Sequence, residues 1–435
     1  MPPRVTRLPT TSPNWHSRLR QAYHGWWILA AAVLGMTVGE GMVFSSFGLF
    51  VEPLEDEFAW ARAEVALGFS VSLLVSGMVA PVVGRAADRF GVRRLVLLGT
   101  VLTGLSFLLL ATVSNLWEWY VFLAINAAVR QMIAYIPFQV LMARWFVRRR
   151  ATALSILGGG MSLGAVVMVP IMTVVIEAVE WEGAFVFAGI VVTLLFVPLA
   201  LFVIRDQPPA DADEVQPART PNAAPADTTR GLSLGAALRT RMFWVLTLAI
   251  TGFFYGVVGW MVHAVPYYES VGLSGAWAAG VVSLTSAGAI VAMLLYGRYA
   301  NRFARVEGPS VVFSLLLGTA MIALLVGGGA IWSIALFIVL FLLGFAAGPL
   351  LEPLVLMRSF GLSSYGTILG ASFTLQALGL VVAPTAAGAV YDATNSYDWA
   401  LVMFAISAAI SGVLFLLASR IAPPLDAIAP TALDS

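Results

Sequence analysis

Glu40 and Arg130 are the charged residues set deepest within otherwise apolar stretches of this 435-residue chain. Arg130 stands at the centre of the stretch 117–143, and Glu40 lies about 3 Å past the centre of 25–51 at the rise of an α-helix. If both stretches cross a bilayer, the two side chains sit at matching depth. An ionised group at that depth costs about 2.5–3.5 kcal/mol on insertion scales, so it must pair, face a cavity or titrate. A guanidinium is a planar fork that suits a carboxylate. Arg130 can therefore receive a small organic anion. Glu40 would neutralise Arg130 in the empty site and be released, or protonated, when the anion arrives. The same two residues could instead form a permanent ion pair that fixes one helix against another.

Further polar residues share these stretches. Asn126, Gln131, Tyr135 and Gln139 add polarity around Arg130, and helical spacing places Asn126, Arg130, Gln131 and Tyr135 on approximately one face. Tyr255 and Trp260 in 241–266 can contact a substrate or simply pack. Arg130, Glu40, Asn126, Tyr135 and Tyr255 are the substrate-contact candidates. Glu40, Glu352 and His263 are the proton-coupling candidates. Glu352 precedes Pro353 and could equally gate or pair with Arg358; His263 precedes Pro266, Tyr267 and Tyr268 and could be an ordinary hydrogen-bonded interfacial histidine. The chain has no cysteine, and its three histidines (His16, His24, His263) are scattered. Neither a metal site nor any other cofactor is expected. It has no lysine and hence no phosphate-binding loop of the G-x-x-x-x-G-K-[ST] kind, so any energy it uses must come from gradients and not from a bound nucleotide. No nucleophile–base set of an intramembrane enzyme is visible, and the chain is not expected to be an enzyme.

The elements that hold these residues follow from composition. Hydrophobic residues make up 60% of the chain and charged residues 11%, with a mean hydropathy of +0.90. Soluble chains carry about 25% charged residues, so a solvated globular surface is out of reach. A net charge of +1 offers no footprint for nucleic acid. Twelve stretches reach the roughly 20 apolar residues of a membrane span: 25–51, 62–84, 94–114, 117–143, 151–176 and 183–204, then 241–266, 275–297, 308–328, 331–357, 364–390 and 399–420. The expectation is an all-α membrane protein with six-helix bundles at 25–204 and 241–420. Tails cover 1–24 and 421–435, and 205–240, rich in Pro, Ala and Asp, reads as a flexible central loop. Pro170, Pro349 and Pro384 mark possible bends.

Arginine placement orients the chain. With the N-terminus in the cytoplasm, 22 of the 24 arginines fall on the cytoplasmic side; Arg62 is external and Arg130 lies within a span. External loops carry Glu52, Glu55, Asp56, Glu57, Glu177, Glu180 and Glu182 instead. This bias places both termini in the cytoplasm of a multi-pass inner-membrane protein. The halves also repeat. Gly84-Arg85-Ala86-Ala87-Asp88-Arg89-Phe90 recurs at an offset of 213 as Gly297-Arg298-Tyr299-Ala300-Asn301-Arg302-Phe303. At an offset of 214, Arg144-Trp145-Phe146 recurs as Arg358-Ser359-Phe360. Parallel halves of this kind are a transporter design with a midplane site between them.

The stretch Gly84 to Arg94, GRAADRFGVRR, resembles the major facilitator signature G-x-x-x-D-R-x-G-R-R in spacing, side and helix order. The resemblance implies that helices 1, 4, 7 and 10 line the central cavity, so Glu40 and Arg130 can face it. It also implies that Gly84, Asp88, Arg89, Gly91, Arg93 and Arg94 form a latch holding the halves in one conformation. Asn301 replaces the acid in the second copy. Two further regions resemble the monocarboxylate-transporter-like branch, which includes bacterial oxalate/formate exchangers. The first is Tyr23-His24-Gly25-Trp26-Trp27 with Phe47 to Leu54 and Glu57 to Arg62; the second is Trp145 to Leu154. That branch commonly anchors the substrate carboxylate on a basic residue in helix 8, but 275–297 has no charge, and neither has helix 11. In helix 5 the drug-antiporter pattern G-x-x-x-G-P is broken, because Gly160 and Gly164 are followed by proline only at Pro170.

The expected function is therefore secondary transport of a small organic anion, a mono- or dicarboxylate, by alternating access, with proton symport or anion exchange and the chain acting as a monomer in the lipid bilayer. Efflux of amphipathic compounds is the alternative within transport. A non-transporting membrane sensor of the same fold is the alternative outside it.

Overall fold

The computed structural model describes residues 23–208, 231–300 and 307–425. Its spanning helices are α1 (His24–Ser45), α2 (Arg62–Phe90), α3 (Val92–Leu110) and α4 (Leu116–Trp145), then the segment Arg150–Val203. That segment leaves helical geometry at Val179 and Glu180, where Glu180 adopts φ 60° and ψ 178°, and so divides into α5 (150–178) and α6 (181–203). Only two residues make the reversal, far fewer than the loop expected between 176 and 183. The second half comprises α7 (Arg241–Ser270), α8 (Gly275–Ala300), α9 (Glu307–Gly327), α10 (Ile331–Phe360), α11 (Tyr365–Thr394) and α12 (Asp398–Arg420). Twelve crossings result among the described residues.

Apolar length makes these segments helical, because a helix satisfies its own backbone where no water can. Large side chains such as Met78, Leu194, Val326 and Ile331 remain exposed on the outer faces, as a lipid-facing belt requires. Inside, small residues let helices approach, since packing rather than hydrophobic exclusion joins helices in lipid. Gly41 meets Gly164 between α1 and α5, and Gly104 meets Gly189 between α3 and α6. The second half repeats the scheme, with Gly379 on Thr251 between α11 and α7 and Gly318 on Ala408 between α9 and α12. The packing thus shows the same internal repeat as the sequence.

The arginine-rich end of the first half is tied by the residues around Tyr23 and Trp145. The Tyr23 hydroxyl donates to the Trp145 carbonyl, and Tyr23 and Trp26 ring edges pack on Phe146. Arg150 donates to the carbonyls of Phe146 (2.8 Å) and Ala143 (2.7 Å), closing the C-terminal turn of α4. Part of 205–240 differs from the flexible loop expected there. Ser233 caps a short helix over Leu234–Leu238, and Gly231 pairs antiparallel with Gly361. Backbone pairing to the end of α10 supplies the order that composition does not announce. Asn301 and Arg302 of the second signature copy lie outside the described residues, as do 1–22, 209–230 and 426–435.

The two halves meet along α2 with α11 and along α5 with α8, two pairs related by the repeat. In α2 the contacts begin near its middle, at Gly77, and run toward the arginine-rich end. Thr374 Oγ1 donates to the Gly77 carbonyl (2.6 Å), Gly370 lies on Ala80, and the Gly84 and Gly366 backbones touch. On the other side Gly297 packs against Ser155, and Thr152 donates to the Gly297 carbonyl (3.0 Å). This seam closes the arginine-rich end of the molecule.

Candidate functional site

Arg130 and Glu40 meet. Arg130 Nη1 donates to Glu40 Oε2 at 2.9 Å, and the side chains retain 8% and 12% of their exposure. Arg130 lies midway along α4, at the height where the seam below it begins, so the pair sits above the closed end. Each partner stands at a discontinuity in its helix. Directly after Glu40, α1 widens into a π-helical turn over Gly41–Ser45. Gly41 permits close contact with α5 there, and Ser46 Oγ donates to the Gly41 carbonyl (2.8 Å), satisfying an acceptor that the altered ladder would leave unused. Directly after Arg130, α4 tightens into a 3-10 turn over Gln131–Ile133 before Ala134 leaves helical geometry at ψ −149°. Such breaks are common at membrane binding sites because they turn side chains inward. The repeat carries a matching break in α10, at Ala346 and Ala347 just before Gly348, but Gly344 stands where the repeat would put the arginine. The charge is confined to one half.

Arg130 is incompletely used by Glu40. Its Nε is buried and has no hydrogen-bond partner. One edge of the guanidinium is thus available for a second oxyanion, while Nη1 is committed to the first. This is the arrangement a competing carboxylate needs.

Other candidates are placed elsewhere. Asn126 is buried and donates to Ser106 Oγ of α3 at 3.0 Å, inside its own half. The break after Arg130 turns α4, so Tyr135 leaves the polar face expected for Asn126, Arg130 and Tyr135. The Tyr255 hydroxyl contacts Met403 Sδ of α12 at 3.3 Å, and its ring stands edge-on to Phe404, which directs it to a neighbouring helix. His263 is held by the Pro384 carbonyl (2.9 Å) and the Tyr397 hydroxyl (3.5 Å), within an aromatic group at the end opposite the seam. Glu352 does not bond to Arg358. It accepts from Gln376 Nε2 instead, because the α10–α11 packing turns it toward α11. Gln376 and Gln139, both buried, are the polar residues that the sequence reading left without a role; the four residues on either side of Gln376 are apolar except for Ser372 and Thr374, and only its polarity could have signalled it.

The signature stretch divides by function. Asp88 reaches across the seam: Oδ1 accepts from Gly366 N (3.1 Å), and Oδ2 accepts from Thr367 N and Thr367 Oγ1 (both 2.9 Å). Its carboxylate occupies the N-terminus of α11, whose first N–H groups lack helical partners and favour negative charge. Arg144 Nη2 approaches Asp88 Oδ1 at 3.7 Å from the first half. Gly84 provides the backbone contact. The remaining members act within their own half. Gly91 turns the chain at φ 86°, against the Asp206 carboxylate. Arg93 donates to the Ala200 and Leu201 carbonyls at the end of α6, and its own N–H goes to Asp206. Arg89 lies over the Phe90 ring, and Arg94 is exposed.

Asp88→Asn would replace one carboxylate oxygen by an NH2 group, which faces N–H donors rather than accepting from them. Each charge-assisted bond lost costs about 1.5–3 kcal/mol, so the seam should open at least ~10-fold more often. The readout is maleimide labelling of Ser155→Cys, which is buried in the seam of a cysteine-free chain. Unchanged protection in Asp88→Asn would show that these bonds do not hold the halves together.

Comparison with known proteins agrees with this architecture. The family model described as Major Facilitator Superfamily matches residues 29–384. Monocarboxylate transporter 11 of Homo sapiens is 28% identical over 86% of this chain and 79% of its own length. The oxalate:formate antiporter of Oxalobacter formigenes is 26% identical, covering 92% of this chain and 91% of that protein. Among solved structures, the E. coli fucose:proton symporter FucP shares the fold with a TM-score of 0.68 at 14% identity, over 91% of this chain and 98% of its own. The paired six-helix halves, the signature stretch and the match across most of the chain lead to one assignment: this multi-pass membrane protein belongs to the Major Facilitator Superfamily and is a transporter of small molecules, not an enzyme.

Proposed function

We propose that this transporter moves a small organic anion, a mono- or dicarboxylate, across the cytoplasmic membrane by alternating access, through proton symport or anion exchange. The observation that carries the reading is Arg130, held at mid-height with one edge on Glu40 and its Nε unpartnered. Relatives named for monocarboxylates and for oxalate and formate support the choice of anion. In this scheme the substrate carboxylate competes with Glu40 for the guanidinium, and Glu40 is the countercharge that keeps the empty carrier neutral.

The moving bodies are 25–204 and 241–420, joined by 205–240, with cytoplasmic tails at 1–24 and 421–435. The arginine bias puts the closed seam on the cytoplasmic side. The arrangement described here is then the outward-facing one, with Gly84 and Asp88 latching α2 to α11. Gly91 and Arg93 fix the α2–α3 turn to the end of α6, so that the latch moves with its half; Arg89 and Arg94 supply cytoplasmic charge. The carrier works as a monomer.

The test is uptake of labelled lactate, pyruvate and oxalate into proteoliposomes, with and without a pH gradient or internal counter-anion. Saturable uptake that other carboxylates inhibit is expected; its absence for all three would remove the carboxylate reading. Within that assay, Glu40→Gln leaves Arg130 uncompensated. Losing the competing charge-assisted bond should lower KM about tenfold and slow turnover, because the anion is released less readily. An unchanged KM would show that Glu40 does not compete with substrate.

A further inference from the structure

The seam encloses a small cavity at its arginine-rich end, on the α5–α8 side. The cavity measures about 90 Å³ and takes its walls from both halves. Arg148 in the α4–α5 turn and Arg150 at the start of α5 come from one half; Ala300 of α8 and Leu354 and Arg358 of α10 come from the other. Three guanidinium groups therefore border one space, and among the described residues no acid lines it. The Arg148 guanidinium has no hydrogen bond or ion pair among the described residues. Arg150 is held in place through Nε and Nη2, on the carbonyls of Phe146 (2.8 Å) and Ala143 (2.7 Å), and its Nη1 has no protein partner among the described residues.

Closing the seam brings like charges together. Arg150 and Arg358, on opposite halves, lie within electrostatic reach of each other. The other groups in reach are Tyr365 for Arg150, and Tyr296 of α8 and Glu307 of α9 for Arg358. The internal repeat accounts for the imbalance. In the first half Arg144 stands 3.7 Å from the Asp88 carboxylate; at the repeated positions the arginine is Arg358 and the acid is replaced by Asn301. The second half thus brings its arginine to the seam with one negative charge fewer. Three cations with Glu307 as their acidic neighbour leave an excess positive charge in a mostly enclosed space, and a counter-charge there removes a large penalty.

We infer that this cavity binds a phosphate-type oxyanion dissolved in the cytoplasm, and that the bound anion bridges the two halves and holds the seam closed. The inference rests on the alternating-access reading, but not on the identity of the transported anion. Guanidinium groups converging from both halves call for an anion with acceptors on several sides; a tetrahedral phosphate has four oxygens, whereas a carboxylate has two. The volume is that of several water molecules, enough for a free phosphate and too little for a nucleotide. Opening carries Arg358 away from Arg148 and Arg150 and divides the site. The anion therefore binds the closed state and raises its population by mass action. It enters and leaves on the cytoplasmic side and is an effector of the cycle, separate from the Arg130–Glu40 pair.

The experiment uses the full-length, otherwise cysteine-free chain in phosphatidylcholine proteoliposomes. Inorganic phosphate is the probe, present on both faces and exchanged against chloride at constant ionic strength. N-ethylmaleimide labelling is read at two seam positions. Ser155→Cys lies on the α5–α8 side, and Ala377→Cys faces Gly77 in the α2–α11 contact. Saturating phosphate should slow labelling at both at least ~10-fold, and acetate should not. Arg148→Gln, at an exposed position, should need about tenfold more phosphate for the same effect, and Arg148→Lys should restore part of the response. No slowing by phosphate, slowing at Ser155→Cys alone, equal slowing by acetate, or an unchanged response in Arg148→Gln each overturns the inference. In vesicles containing phosphatidylglycerol, slow labelling without phosphate that added phosphate does not deepen would give the site to a lipid headgroup and overturn the dissolved-anion assignment. If phosphate has no effect yet Gly84→Val raises labelling, alternating access stands and the anion site falls. If Gly84→Val also leaves labelling unchanged, the alternating-access reading itself is at fault and the inference falls with it.

Discussion

Arg130→Gln should abolish carboxylate uptake, lowering the uptake rate at least ~100-fold at subsaturating substrate. Two effects add. The substrate loses a charge-assisted contact, about 1.5–3 kcal/mol per hydrogen bond, which is one to two powers of ten in affinity. Glu40 is also left without its cation, and breaking a buried pair by removing one member costs about 3–5 kcal/mol. The second effect could unfold the protein, so the informative variant is Glu40→Gln with Arg130→Gln, which removes both charges together. That double variant should elute as a monodisperse species and retain seam protection at Ser155→Cys, but transport no labelled oxalate, lactate or pyruvate. Arg130→Lys keeps the charge and loses the fork, so it should transport monocarboxylates with a raised KM. If the double variant transported at the original rate, Arg130 and Glu40 would be a fixed structural tie between α1 and α4, and the anion would bind elsewhere.

Gly84→Val carries the second large effect. A Cβ at Gly84 would overlap the Gly366 carbonyl, a backbone group that cannot rotate away. The helices α2 and α11 must then separate at the end where Asp88 caps α11. Overpacking costs about 1–3 kcal/mol, so the closed seam should lose up to ~100-fold in population. Maleimide labelling at Ser155→Cys should rise accordingly, and uptake should fall because the outward-facing state is no longer reached. Gly159→Ala is the control. Nothing lies within 4 Å of a Cβ added there, so labelling and uptake should stay as they were. Equal labelling of Gly84→Val and the parent would mean that the α2–α11 contact does not report closure.

The signature stretch shows how far one dimension carries. Its glycines and acid are recognisable in sequence because their types and spacing carry their physics: a close approach, a turn, a carboxylate for a helix end. Which of them crosses between halves was not recognisable. Asp88 bonds to Gly366, 278 residues away, whereas Arg93 bonds to Ala200 and Leu201 of its own half. Both are polar residues at a helix end, and only the packing of α2 on α11 separates their roles.

Asn126 and Tyr255 illustrate a second limit. Regular helical spacing puts Asn126 and Tyr135 with Arg130, but the 3-10 turn at Gln131–Ile133 changes the register between them. Tyr135, beyond the break, therefore approaches Glu352, whereas Asn126, before it, is taken up by Ser106 of the neighbouring α3. A local break of three residues is invisible to hydropathy, yet it redirects every side chain beyond it. Glu352 was conspicuous as a charge in an apolar stretch, but its neutral surroundings come from residues on α4 and α11.

The sequence by itself determined the solvent, the number of crossings, the repeat and the depth of each charge, because each follows from how many apolar residues separate one polar group from the next. Only the tertiary structure decided that Glu40 and Arg130 touch, that Asn126 and Tyr255 face neighbouring helices, and that Glu352 lies with Gln376, Tyr135 and Gln139 in a seam between halves. Depth is set along the chain by apolar length. Partnership is set across it, by helix rotation, by breaks such as the π-helical turn after Glu40, and by the small residues that let one particular pair of helices meet.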